Sequence, residues 1–139
     1  MPTYRFVHAA DLHLDSPFKG LRRVAPEIGE ILRNSTFEAF DAIIDLCMNE
    51  EVDALLVAGD VFDSADRSLA AQLRFVDGLR KLETAGIQSF VCNGNHEPLD
   101  AWQSEVQFPD NCLRFGSTVT SGELRSGDPE SPLVYGYSY

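Results

Sequence analysis

Three short stretches of this chain carry the residue types that hold metal ions and move protons: Asp11-Leu12-His13, Gly59-Asp60, and Asn93-Gly94-Asn95-His96-Glu97. A carboxylate, an imidazole and an amide oxygen make a mixed oxygen and nitrogen donor set. Such a set suits Mn²⁺, Fe²⁺ or Zn²⁺ better than it suits the all-oxygen shells typical of Ca²⁺ or Mg²⁺. Asp11 and His13 stand two apart, so a loop can turn both side chains inward while Leu12 points back to the core. Asp60 has two carboxylate oxygens, enough to bridge two cations. Singly, each stretch reads first as a strand-terminating turn, because D-x-H, Gly-Asp and Asn-Gly are common by chance.

What turns three turns into one candidate site is the order of the elements that precede them. "YRFVHA", residues 4–9, is short and largely apolar and is followed at once by the turn-rich loop "DLHLDSPFKG", so it reads as a buried strand. Ser35 and Glu38 fit a capping box, and Phe37, Phe40, Ile43, Ile44, Cys47 and Met48 then recur at helical spacing. A separate short helix is expected before it, starting near Pro26. "DALLVAGD" is a second strand. Ser68 caps a helix whose apolar positions are Leu69, Leu73, Val76, Leu79 and Leu82, and Gly86 stops it. "IQSFVCNGN" is the third strand. Leu113 to Phe115, Val119 and Leu133 to Tyr137 are shorter strand candidates around the loop "SGELRSGDPESP". Strand, helix, strand, helix, strand implies right-handed crossovers and a parallel sheet, and ligands gather outside the carboxyl ends of such strands. The three polar stretches sit at those ends and are expected to converge.

Composition sets the bounds. At 139 residues, 44% hydrophobic and 24% charged, the chain reads as one globular domain's worth of sequence. Its apolar runs are far short of a membrane span, and its N-terminus lacks the basic start and long apolar middle of a signal peptide, so a cytoplasmic location is expected. Cys47, Cys92 and Cys112 form no C-x-x-C pair and leave one thiol over in any bridging scheme, which argues for free thiols. The net charge of −11 opposes binding to a phosphate backbone, which is held chiefly by Lys and Arg. No Ser/His/Asp order and no cysteine beside a histidine offers a protein nucleophile.

"DLH", "GDVFD" and "GNHE" resemble, in order and spacing, the first three signature blocks of the calcineurin-like metallophosphoesterases. "FVHAADLHLDSPFKGL", "VAGDVFDSADRS" and "QLRFVDGL" are similar to its bacterial DNA repair exonuclease branch, of the SbcD and YhaO type, over residues 5–98. The resemblance implies that Asp11 and His13 bind a first metal, that Asp60 bridges two, and that Asn95 binds the second. His96 would lie over the substrate phosphate as the catalytic imidazole, stabilising charge or protonating the leaving oxygen. Two divalent cations, Mn²⁺ foremost with Fe²⁺, Zn²⁺ or Mg²⁺ as alternatives, would acidify a bridging water and clamp an in-line displacement at phosphorus.

Other residues carry blander expectations. His8, among apolar neighbours, is expected to be a core histidine or one that supports a ligand. Asp63 either holds a ligand in place or stabilises its turn, and Asp15 is similar. Glu97 is expected to support the ligands. Arg67 either pins its loop or approaches a substrate phosphate, and it is carried as a substrate-binding candidate. Lys19, Arg22 and Arg23 read first as a solvated helix start, and Trp102 and Phe108 as core cover.

The family completes its site with further histidines downstream, whereas this chain has only His8, His13 and His96. The resemblance implies a four-layer αββα sandwich, and residues 1–139 are expected to be the N-terminal part of such a nuclease domain, weakly active or inactive alone. An apolar face left uncovered would favour a homo-oligomer. Three functions compete: a DNA exonuclease or endonuclease, with DNA as substrate and a coiled-coil ATPase as partner; a phosphatase or cyclic-nucleotide phosphodiesterase for small substrates; and a non-catalytic interaction module that keeps half the metal site.

Overall fold

The computed structural model describes residues 1–16, 25–63, 68–95, 102–103 and 105–139. The elements in order are β1 (Phe6–Ala9), α1 (Pro26–Asn49), β2 (Ala54–Ala58), α2 (Leu69–Thr84), β3 (Gln88–Cys92), β4 (Cys112–Arg114), β5 (Thr120–Glu123) and β6 (Leu133–Gly136). The first four strands form one parallel sheet in the order β1-β2-β3-β4, and β5 pairs with β6 in an antiparallel hairpin. The chain is therefore a mixed α/β structure on a parallel sheet, as the alternation of elements requires.

Side-chain alternation divides the sheet into two apolar faces. Val7, Ala9, Leu55, Val57 and Val91 pack with Phe40, Ile44, Cys47, Phe75, Val76, Leu79 and Leu82 of the helices. Ala54, Leu56, Phe90, Cys92 and Leu113 on the other face pack with Phe115, Leu124 and Val134, so the hairpin end of the chain covers that side. Phe40 meets Phe75 with ring centroids 5.2 Å apart where α1 and α2 cross. Trp102 and Phe108 close this core edge-to-face at 4.8 Å, the covering role expected of them.

Three expectations are corrected. Ser35 caps nothing: α1 runs unbroken from Pro26, with Ala25 at the cap position and Pro26 in the first turn. The Ser35 hydroxyl instead donates to the Leu32 carbonyl at 2.5 Å and Thr36 does the same to Arg33 at 2.8 Å, which lets both sit inside a helix. β1 is a half-exposed edge strand, not a buried one, and His8 is exposed. Its side chain points to the sheet face opposite the helices, at the edge that the hairpin leaves open. The expected loop 121–132 holds most of β5 and is tied down: Arg125 Nε donates to Asp53 Oδ1 at 2.7 Å and Tyr4 donates to Asp128 at 3.0 Å.

Candidate metal centre

The carboxyl ends of β1 and β2 do not separate where the strands stop. Asp11 N–H donates to the Gly59 carbonyl at 3.2 Å, His13 N–H to that of Asp60 at 3.1 Å, and Leu14 N–H to that of Val61 at 2.7 Å. The two loops thus stay zipped for several residues beyond the sheet. To do so the backbone takes left-handed conformations at Asp11 (φ 54°), His13 (45°), Asp15 (62°), Gly59 (81°) and Asp60 (51°). Only Gly59 does this without steric cost; elsewhere the neighbours must hold the conformation in place.

This geometry brings one ligand atom from each of Asp11, His13 and Asp60 within 4.8 Å of one another. His13 Nε2 lies 4.0 Å from Asp11 Oδ1, and His13 Nδ1 lies 3.2 Å from Asp63 Oδ1. Asp63 also accepts from the Ser16 hydroxyl at 3.0 Å. Of the two readings open for Asp63, the contacts favour support of a ligand: a carboxylate on one ring nitrogen leaves the other to face a metal. Asp60 Oδ1 is buried and has no hydrogen-bond partner among the described residues. A buried carboxylate oxygen without a donor is costly, and a cation at this position would satisfy it. The residues therefore fit a divalent ion bound by carboxylate and imidazole.

The third strand end arrives beside the other two. A side chain at Gly94 would collide with the Asp60 carboxylate and backbone, so glycine is required for close approach. Gly94 itself does not take a positive φ, whereas Gly59 opposite it does. Asn93 is buried, and its N–H donates to Ser138 Oγ at 2.8 Å, while that hydroxyl donates to the Phe115 carbonyl at 2.5 Å. Ser138, which no motif singled out, thus anchors the β3 end to the segment after β6. Asn95 is exposed at the end of this turn. His96, Arg67, Glu97, Lys19, Arg22 and Arg23 lie outside the described residues.

The calcineurin-like phosphoesterase family matches residues 4–137, nearly the whole chain. The chain belongs to this family. Calcineurin-like phosphoesterases are metal-dependent hydrolases, which accords with the Asp11, His13 and Asp60 cluster. Among curated relatives, an uncharacterized metallophosphoesterase, YhaO of Bacillus subtilis, is 40% identical over 137 residues, covering 96% of this chain and 33% of its own length. The DNA double-strand break repair protein Mre11 of Methanosarcina mazei is 35% identical over 99 residues, covering 71% of this chain and 15% of its own. The SbcD nuclease subunit of Rhodobacter capsulatus is 31% identical over 131 residues, covering 88% and 28% respectively. The chain spans a third or less of the length of these calcineurin-like relatives. No helix among the described residues is long and apolar enough to cross a membrane.

Proposed function

We propose that this chain is the N-terminal part of a metal-dependent phosphodiesterase of the DNA repair nuclease type, in which Asp11, His13, Asp60 and Asn95 hold two divalent cations, Mn²⁺ foremost. One observation carries the proposal: a ligand atom from each of Asp11, His13 and Asp60 stands within 4.8 Å of the others, and the Asp60 carboxylate has a buried oxygen, Oδ1, with no hydrogen-bond partner among the described residues. When bound, the cations supply Lewis-acid polarisation of a phosphoryl group and acidify water for in-line attack. The chain's own contribution is orientation. Asp60 brings a carboxylate oxygen within 4.8 Å of ligand atoms of Asp11 and His13, Asp63 holds His13 by Nδ1 so that Nε2 turns toward Asp11, and Gly94 lets the third strand end pack against Asp60. His96 is the catalytic imidazole of the proposal and Arg67 its substrate-binding cation.

The names of the relatives, a nuclease subunit and a double-strand break repair protein, favour DNA as the substrate, and the proposal includes a coiled-coil ATPase as the partner and the cytoplasm as the location. The net charge of −11 favours a second reading, hydrolysis of small phosphoesters such as cyclic nucleotides. Having three histidines in all favours a third, an interaction module without turnover. A protein extending this chain to the length of its relatives is expected to cleave linear DNA with Mn²⁺, to bind it less tightly as salt rises, and to lose cleavage on Asp60→Ala. Salt-independent cleavage of small phosphodiesters alone would establish the second reading. Absence of turnover on either substrate, with both present at saturation, would establish the third.

A further inference from the structure

Asp15 lies outside the ligand cluster, yet three parts of the chain meet at its side chain. It is 8% exposed. Its carboxylate receives Arg33 Nε of α1 at 2.5 Å and the Ser68 hydroxyl at the start of α2 at 2.7 Å. Its backbone is held too: the N–H donates to Thr36 Oγ1 at 3.2 Å, and the carbonyl accepts from Arg33 Nε at 3.3 Å. Ser68 Oγ also accepts from Ala71 N–H at 3.0 Å, so the hydroxyl that caps α2 is the one that donates to Asp15.

The value of such an anchor follows from the backbone. Asp11, His13 and Asp15 alternate in the left-handed region, at φ 54°, 45° and 62°. Non-glycine residues there are strained, and the arrangement persists only where surrounding contacts over-determine it. The hydrogen bonds to Gly59, Asp60 and Val61 fix one side of the loop. Asp15 fixes its far end to both helices.

We infer that Asp15, through Arg33 and Ser68, is a positioning residue that holds the 11–15 loop in its left-handed conformation and so keeps Asp11 and His13 facing Asp60. The inference rests on the metal-site reading for its functional meaning, but the clamp itself acts on the metal-free loop. It is therefore measurable without any bound ion. An ion pair that only adds global stability would act on every element alike, whereas a clamp acts locally.

The test is amide hydrogen exchange on the metal-free chain, resolved by residue, for wild type, Asp15→Asn and Arg33→Gln, beside calorimetric Mn²⁺ titration of the same proteins. Arg33→Gln removes only the helix partner and keeps a good helix former, so it serves if Asp15→Asn folds poorly. The expected result is exchange at least tenfold faster at the Asp11, His13 and Leu14 amides, unchanged exchange in β2 and β3, and Mn²⁺ affinity at least tenfold weaker. Unchanged exchange at those three amides in a folded variant would overturn the clamp, as would equal acceleration throughout the protein. A wild-type chain that binds no Mn²⁺ would instead overturn the metal-site reading, with the exchange data still deciding the clamp.

Discussion

Asp63 stands where a turn carboxylate was one expectation and a ligand support the other, and its contacts give a specific role to test. It holds His13 Nδ1 at 3.2 Å and is itself held by Ser16 at 3.0 Å. Supporting carboxylates of this kind alter metal affinity by about 10- to 100-fold. Asp63→Ala is expected to weaken Mn²⁺ binding within that range, read by calorimetry, while leaving the far-ultraviolet circular dichroism unchanged; an unchanged affinity would return Asp63 to the role of a turn carboxylate. The cysteines make a second prediction at this scale. Burial pushes the Cys47 and Cys112 thiols up to about 11 from the ordinary 9.0. Below pH 9 both thiols are neutral in the folded and unfolded chains and the native state keeps its full stability. Between about 9 and 11 the unfolded chain releases protons that the folded chain retains, so stability falls as pH rises. Urea midpoints measured across that interval are expected to decline, and replacing both thiols by alanine should flatten the decline.

Two serines separate what a helix pattern reveals from what it hides. Ser68 caps α2 as its position before Leu69 suggests, with Oγ accepting from Ala71 N–H. Ser35 has the fuller sequence signature, with Glu38 three residues on where Ser68 has Ala71, but lies inside α1. Ser68→Ala is expected to cost about 0.5–2 kcal/mol in urea unfolding. Ser35→Ala should change stability by less than about 0.5 kcal/mol, as for other surface substitutions; a cost equal to that of Ser68 would mean that a helix start exists at Ser35 after all. The parallel sheet and the convergence of "DLH" with "GD" are legible because strand-helix alternation fixes which end of each strand faces the ligand. The Asp15 to Arg33 pair is not, since it joins a loop to a helix through contacts that no spacing rule encodes. His8 departs from expectation because an apolar neighbourhood in sequence says nothing about which strand lies at the sheet edge. Gly94 matters for a different reason from the one its sequence context suggests: sequence shows that a glycine is present, while only the approach of the Asp60 carboxylate shows why.

At the scale of the molecule, helices cover one face of the sheet and the β5–β6 hairpin part of the other, while Leu133, Tyr135, Tyr137 and Val119 remain exposed on the hairpin side. These residues are the exposed apolar surface on which the expected homo-oligomer would rest. Sedimentation at micromolar concentration should show self-association, and a single compact monomer would contradict it. The central claim is that three strand ends form one preformed cation site centred on Asp60. Calorimetric titration of Mn²⁺ into the metal-stripped chain, beside its Asp60→Ala variant, tests that claim most directly. Saturable binding by the wild type that disappears in the variant is the predicted result; equal binding by both, or none by either, would contradict it.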